Sequence, residues 1–96
     1  MDKLTHYKQV LSNYKPELVK KYHVKQLAFF GSYARREETH SSDLDILVDF
    51  DQPIGLDFVS LADELESLLG VKVDLVSSKA VRSRMLESIK KDLIYV

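Results

Sequence analysis

The 96-residue sequence contains no cysteine, only three glycines and only two prolines. Without cysteine there can be no disulfide, no thiolate metal site and no thiol nucleophile, a pattern that fits a reducing compartment. Long apolar runs are also missing, and none approaches the ~20 residues needed to span a bilayer. The opening MDKLTHYKQV lacks the apolar centre of a secretory signal, so the cytoplasm is the expected location. Nor is there an excess of one charge: 14 basic and 15 acidic residues leave a net charge of −1. Proteins that hold a long polyanion usually show a basic face. Here the basic residues cluster only as Lys20-Lys21, Arg35-Arg36 and Lys90-Lys91, which counts against a nucleic-acid substrate.

What is present describes an ordinary globular chain, 45% hydrophobic and 30% charged. The length predicts one domain over residues 1–96, with a core small enough that burial against a partner would help it. Leu4, Tyr7, Val10, Leu11 and Tyr14 recur at helical spacing. Pro16 disfavours helix at Lys15 but suits the first turn of a new one, so two helices are expected, over about 2–13 and 16–22. Val24–Phe30 reads as a strand running into Gly31-Ser32, and residues 31–37 as a helical turn. A second strand is expected over about 43–50. There Leu44, Ile46, Val48 and Phe50 face one way, and Asp43, Asp45, Leu47 and Asp49 the other. Pro53 and Gly55 punctuate a loop before a helix over about 57–69 that Gly70 terminates. A strand over 71–76, a last helix capped by Ser77 or Ser78, and a short terminal strand complete the order. The fold class is therefore α+β: a small mixed sheet with helices packed mainly on one face, and a second face that carries the aspartates and stays open to ligand.

Two features carry chemistry. Asp43 and Asp45, two apart on a strand, project from one face with backbones about 6.6–6.8 Å apart. Their carboxylates can converge on cations, and phosphoryl-transfer sites hold two metals about 3.5–4 Å apart. Mg²⁺ favours carboxylate and phosphate oxygens. Asp is disfavoured in strands, and two on one face repel without a cation. Even so, an isolated Asp-x-Asp is more often a solvated strand face. The second feature is Gly31-Ser32, where a strand turns into a helix. Such a turn offers backbone N–H groups and the positive helix end to a phosphate, with close approach at the glycine and a further donor from the serine. Alone, it is more simply a capped turn. Together the two change the odds, because neighbouring strands would bring phosphate cradle and metal acids to one sheet edge.

The pattern Gly31-Ser32, ten residues, Asp43-x-Asp45 resembles the signature of the DNA polymerase beta-like nucleotidyltransferase superfamily. The string GSYARREETHSSDLDILV resembles its smallest branch, the minimal nucleotidyltransferase antitoxins, and the likeness extends over nearly the whole chain. The resemblance implies a third carboxylate, matched by Asp74 in Val73-Asp74-Leu75. It also implies a nucleotide-binding turn at Gly31 and Ser32, and two Mg²⁺ ions held by Asp43, Asp45 and Asp74, with ATP as substrate. The family usually has glycine where this chain has Arg36. For Arg35 two roles are open, a phosphate contact or an ion pair with Glu37, Glu38 or the C-terminal region, and the pair is favoured because surface arginines commonly meet acids. His6, His23 and His40 have no metal spacing.

Larger members add domains that hold the acceptor, so here the acceptor should be small or be delivered by a partner protein. The resemblance supplies a partner, a HEPN-domain toxin ribonuclease, with AMP transferred to a toxin tyrosine by its antitoxin. Two alternatives stay open: an antitoxin that only occludes its toxin, and an enzyme that modifies a small molecule.

Overall fold

The structure, a computed structural model, describes residues 2–96. The chain opens with helix α1, Lys3–Tyr22. Its start is fixed by Asp2, whose carboxylate accepts the Thr5 N–H at 2.8 Å. It ends at His23, in the left-handed conformation with φ 57°. Pro16 lies inside this single helix, so the two helices expected from the sequence are one. The reason is burial. Leu4, Leu11, Leu18 and Tyr22 all sink into the core from one face. An interior proline costs about 3 kcal/mol. Burying Leu18 and Tyr22 beyond it returns roughly 1.5–3 kcal/mol for each large side chain, which is enough to carry the helix through.

Strands β1 (Val24–Phe30) and β2 (Leu44–Phe50) pair antiparallel, flanking the one-turn helix α2 (Gly31–Ala34). Helix α3 (Asp57–Leu69) then crosses to β3 (Val73–Ser77), which runs parallel to β2. Gly70 ends α3 at φ +68°, where a residue with a Cβ would be strained. Helix α4 (Ser83–Lys90) and the short β4 (Ile94–Tyr95) close the chain, giving a mixed sheet in the order β3-β2-β1-β4. The alternation of β2 follows the sequence for Leu44, Ile46, Val48 and Phe50, which are buried, and for Asp45 and Asp49, which are not, but Leu47, expected on the open face, is buried as well. Two boundaries differ. Asp43 stands one residue before β2, and β3 begins at Val73, two residues later than expected. The serine cap is also displaced: α4 starts at Ser83 behind Arg82, and the Ser78 hydroxyl instead donates to Asp49 at 2.9 Å.

The inward residues of α1 and α3 meet those of the sheet in one core, with Leu11, Leu18, Phe29, Leu44, Ile46, Leu61 and Leu65 among its most buried members. One carboxylate ties the two helices together. Glu64 of α3 accepts from Tyr14 Oη at 3.0 Å, Tyr22 Oη at 2.8 Å and Lys21 Nζ at 2.8 Å. The Lys21 ammonium, and then the two phenols, hold the Glu64 carboxyl below its ordinary pKa, against a smaller opposing effect of burial. Its neighbour Glu66 accepts the Val73 N–H at 2.8 Å and so fixes where β3 begins.

Because Glu64 is held ionised, its stabilisation is present above the unfolded-state carboxyl pKa and is lost as pH falls through the lower folded value. Glu64→Ala is expected to lower unfolding free energy by about 1.5–3 kcal/mol at pH 7, since it strands two phenols and an ammonium. Urea titrations at pH 7 and pH 3 check this, with the gap between wild type and variant shrinking at the lower pH.

Candidate active site

The sheet has two faces, and the second is organised in rows by strand register. Phe30 of β1 stands opposite Asp45 of β2, and Asp45 is level with Asp74 of β3. One pleat further, Ala28, Leu47 and Val76 form a second row, with Tyr95 of β4 beside Ala28. In-register neighbours share a face, so the acids occupy one row and the apolar side chains the next, about 6.6–6.8 Å along the strands. The antiparallel turn from β1 into β2 places Gly31 beside Asp45. The parallel return through α3 places Asp74 on the other side of it.

Gly31 and Asp45 are in direct contact. A Cβ built on Gly31 would lie 2.0 Å from the Asp45 Oδ2 atom, and Gly31 holds φ +73°. Glycine is therefore required here twice, by backbone conformation and by the carboxylate against it. Ser32 follows in the first turn of α2, where helical N–H groups lack intrahelical partners. Tyr33, the next residue, is buried and packs edge-on against Tyr7 of α1 with ring centroids 5.9 Å apart. That contact anchors the turn to the core.

Burial raises the Asp45 pKa from 3.8 to about 6, helped by the charges of Asp74 and then Asp43, with Arg35 opposing. Among the described residues no Lys or Arg forms a salt bridge with Asp43, Asp45 or Asp74. Three adjoining acids without a cationic side chain suit divalent cations. Among the described residues no three acid or histidine side chains close around a single point as a complete cage. Magnesium in nucleotide enzymes fits that arrangement, because it takes one or two carboxylates and fills its octahedron with phosphate oxygens and water.

Of the residues singled out by sequence, Gly31, Ser32, Asp43, Asp45 and Asp74 come together at this edge. Arg35 turns to other partners, Glu37 at 3.3 Å and Asp92 at 3.0 Å. These are the ion pairs favoured from the sequence, with Glu37 and with the C-terminal region, where the partner 57 positions away is Asp92. Arg36, where the family usually has glycine, adopts φ 58° and pairs with Asp2 at 2.9 Å. The second face is also less open than expected: α4 and the segment after it lean over the apolar row, contributing Leu86 and Leu93.

Gly31→Ala is expected to displace the Asp45 carboxylate and reduce nucleotidyl transfer about 100-fold, the scale that a 1 Å misplacement costs. Steady-state kinetics measure the loss, with circular dichroism confirming the fold. Asp45 has the opposite sign of linkage to Glu64. Its folded pKa is raised, so its contribution favours folding below the unfolded value near 4 and is lost as pH rises through about 6. In metal-free buffer Asp45→Asn is expected to raise Tm at pH 7.5 by about 4–8 °C, a gain on the order of 1 kcal/mol after solvent screening. The difference is expected to vanish near pH 4, which paired thermal melts test.

The fold and site have counterparts among known proteins. The family model described as a nucleotidyltransferase domain matches residues 11–96. A candidate protein adenylyltransferase of Methanocaldococcus jannaschii is 48% identical over 98 residues, covering all of both chains. The protein adenylyltransferase MntA of Thermococcus cleftensis is 38% identical, covering 97% of this chain and 95% of that one. A solved structure of a candidate minimal nucleotidyltransferase superposes with TM-score 0.76 at 37% identity, covering 98% of this chain and 95% of the other. An antitoxin in complex with a tri-AMPylated HEPN toxin of Shewanella oneidensis shares the fold, with TM-score 0.65, 22% identity and coverage of 91% and 69%. With the matched model spanning most of the sequence and full-length relatives beside it, the chain belongs to the nucleotidyltransferase domain family and is a nucleotidyltransferase of its minimal type.

Proposed function

We propose that this enzyme transfers AMP from ATP to a tyrosine hydroxyl of a HEPN-domain toxin and thereby acts as its antitoxin. The observation that carries the reading is the contact between Gly31 and Asp45, which joins a phosphate-binding turn to an acid row. Relatives 38–48% identical along nearly their full length are named protein adenylyltransferases, which favours a protein acceptor.

In this reading the backbone N–H groups at Gly31-Ser32 and the Ser32 hydroxyl hold the terminal phosphates of ATP. Asp43, Asp45 and Asp74 would hold Mg²⁺, which when bound supplies charge neutralisation for the triphosphate and acidifies the acceptor hydroxyl. The acceptor oxygen forms a bond to the α-phosphorus as the α–β phosphoanhydride bond breaks, and pyrophosphate departs. Asp74 is solvent-exposed at the outer strand β3, where an arriving protein can reach it, and it takes the hydroxyl proton. Arg35 does not hold phosphate in this scheme. Its bonds to Glu37 and Asp92 secure the end of α2 to the C-terminal segment.

The test is mass spectrometry of a co-expressed HEPN partner after incubation with ATP and Mg²⁺. The partner is expected to gain whole AMP units on tyrosine, and Asp43→Asn to abolish the gain. Equal neutralisation of the toxin by the Asp43→Asn/Asp45→Asn double variant, with no mass change, would show that occlusion suffices and would overturn transfer as the means of neutralisation.

A further inference from the structure

The apolar row beside the acids is not simply a covered sheet. Between it and α4 lies a pocket of about 140 Å³, with Ala28 and Leu47 on the strand side and Leu86, Leu93 and Tyr95 around it. Helix α4 is lightly seated over this space: none of its residues is buried, and Met85 is 58% exposed. The space therefore lies on the same face as Asp45 and Asp74, one pleat away, between elements that have little packing to lose.

We propose that this pocket receives the aromatic ring of the acceptor side chain and so selects tyrosine over serine or threonine. The inference rests on the adenylyl-transfer reading given above. Three observations carry it. Most of the exposed lining is apolar, which suits a ring, and the polar residues Gln26, Asp49 and Ser78 stand at the end farther from the acid row. The volume is that of a single six-membered ring, since an aliphatic-lined cavity of about 150 Å³ takes up benzene, whereas the two fused rings of a purine need more. Leu47 stands one pleat from the Asp45–Asp74 row, so a ring resting on Leu47 with its substituent pointed along β2 directs a phenol oxygen toward the acids. The bond made there is from phenolic oxygen to α-phosphorus, with pyrophosphate as leaving group and the phenol proton passing to Asp74.

The experiment uses the whole chain and two kinds of probe. In methyl-detected NMR, p-cresol is expected to shift the signals of Leu47 and Leu86 but not those of Leu11 or Leu65, which lie in the core on the other face. With ATP and Mg²⁺, N-acetyl-tyrosinamide is expected to accept AMP at least tenfold better in kcat/KM than N-acetyl-serinamide. Ala28→Leu, which fills the pocket from β1, is expected to remove the cresol shifts and lower tyrosine kcat/KM at least tenfold. Affinity for a non-hydrolysable ATP analogue should stay within twofold. Should Ala28→Leu fail to fold, Leu86→Ala widens the pocket from α4 and is expected to weaken cresol binding several-fold with the same unchanged nucleotide affinity. Cresol shifts absent while tyrosine transfer proceeds would overturn the ring pocket alone. A tenfold loss of nucleotide affinity in Ala28→Leu would overturn it in favour of a base-binding role. Cresol bound at Leu47 with no AMP passed to any tyrosine would sink the transfer reading and the acceptor assignment with it.

Discussion

The Asp45 carboxylate rests against the α-carbon of Gly31, and this contact constrains both ends of the site at once. An acid there must lose part of its hydration, which raises its pKa to about 6 and leaves a carboxylate poorly solvated by water and without a salt bridge to any lysine or arginine among the described residues. Such a group is costly in the empty protein and well placed for a divalent ion. The glycine gains a backbone surface that a phosphate can approach without a side chain in the way. Neither residue could be placed so by its own element. Strand register does it, setting Phe30 opposite Asp45 so that the next residue must meet that carboxylate.

The cost of gathering acids is met on the other side of the sheet. Leu44, Ile46 and Val48 are fully buried between the acidic positions of β2, and they lock the strand into the core formed with α1 and α3. Two side chains of α3 extend that control. Glu64 binds α1 through three donors, and Glu66 holds the N–H of Val73, one residue before Asp74. A helix that touches no proposed substrate thus decides where the third acid sits. The two faces divide the work: the core face supplies the free energy, and the acid face uses part of it to hold like charges together.

How much of this could be read in the sequence depended on the range of the interaction responsible. The alternation Leu44-Asp45-Ile46-Leu47-Val48 shows itself locally, and so does the helix ended by Gly70, because period and punctuation are properties of neighbouring residues. Pro16 misled for the same reason. Its local preference points to a break, yet Leu18 and Tyr22 find partners in α3 and β1 that no local rule can see, and their burial prevails. Ser78 has the chemistry of a helix cap but lies against Asp49, a partner 29 residues away on a neighbouring strand. The Arg35–Asp92 pair is longer still in range, and the sequence named only its region, the C-terminal end, and not the residue. The site itself was legible because its geometry is a consequence of topology. Once β1 and β2 are adjacent and β3 follows through α3, Gly31, Asp45 and Asp74 have nowhere else to be.

The same topology holds the acid row in place from within the sheet. Asp45 projects from the middle of the sheet, its direction set by backbone hydrogen bonds on both sides, with β1 on one flank of β2 and β3 on the other; Asp43 stands just before β2, and Asp74 lies level with Asp45 on the outer strand. Over that face lie α4 and the segment after it, and α4 contributes no buried residue to the core. Precision therefore resides in the strands, while the surface beyond them is left incomplete. A face left open beside the acids suits the proposed reaction, because a folded acceptor protein can close over it and supply the remaining walls of the site.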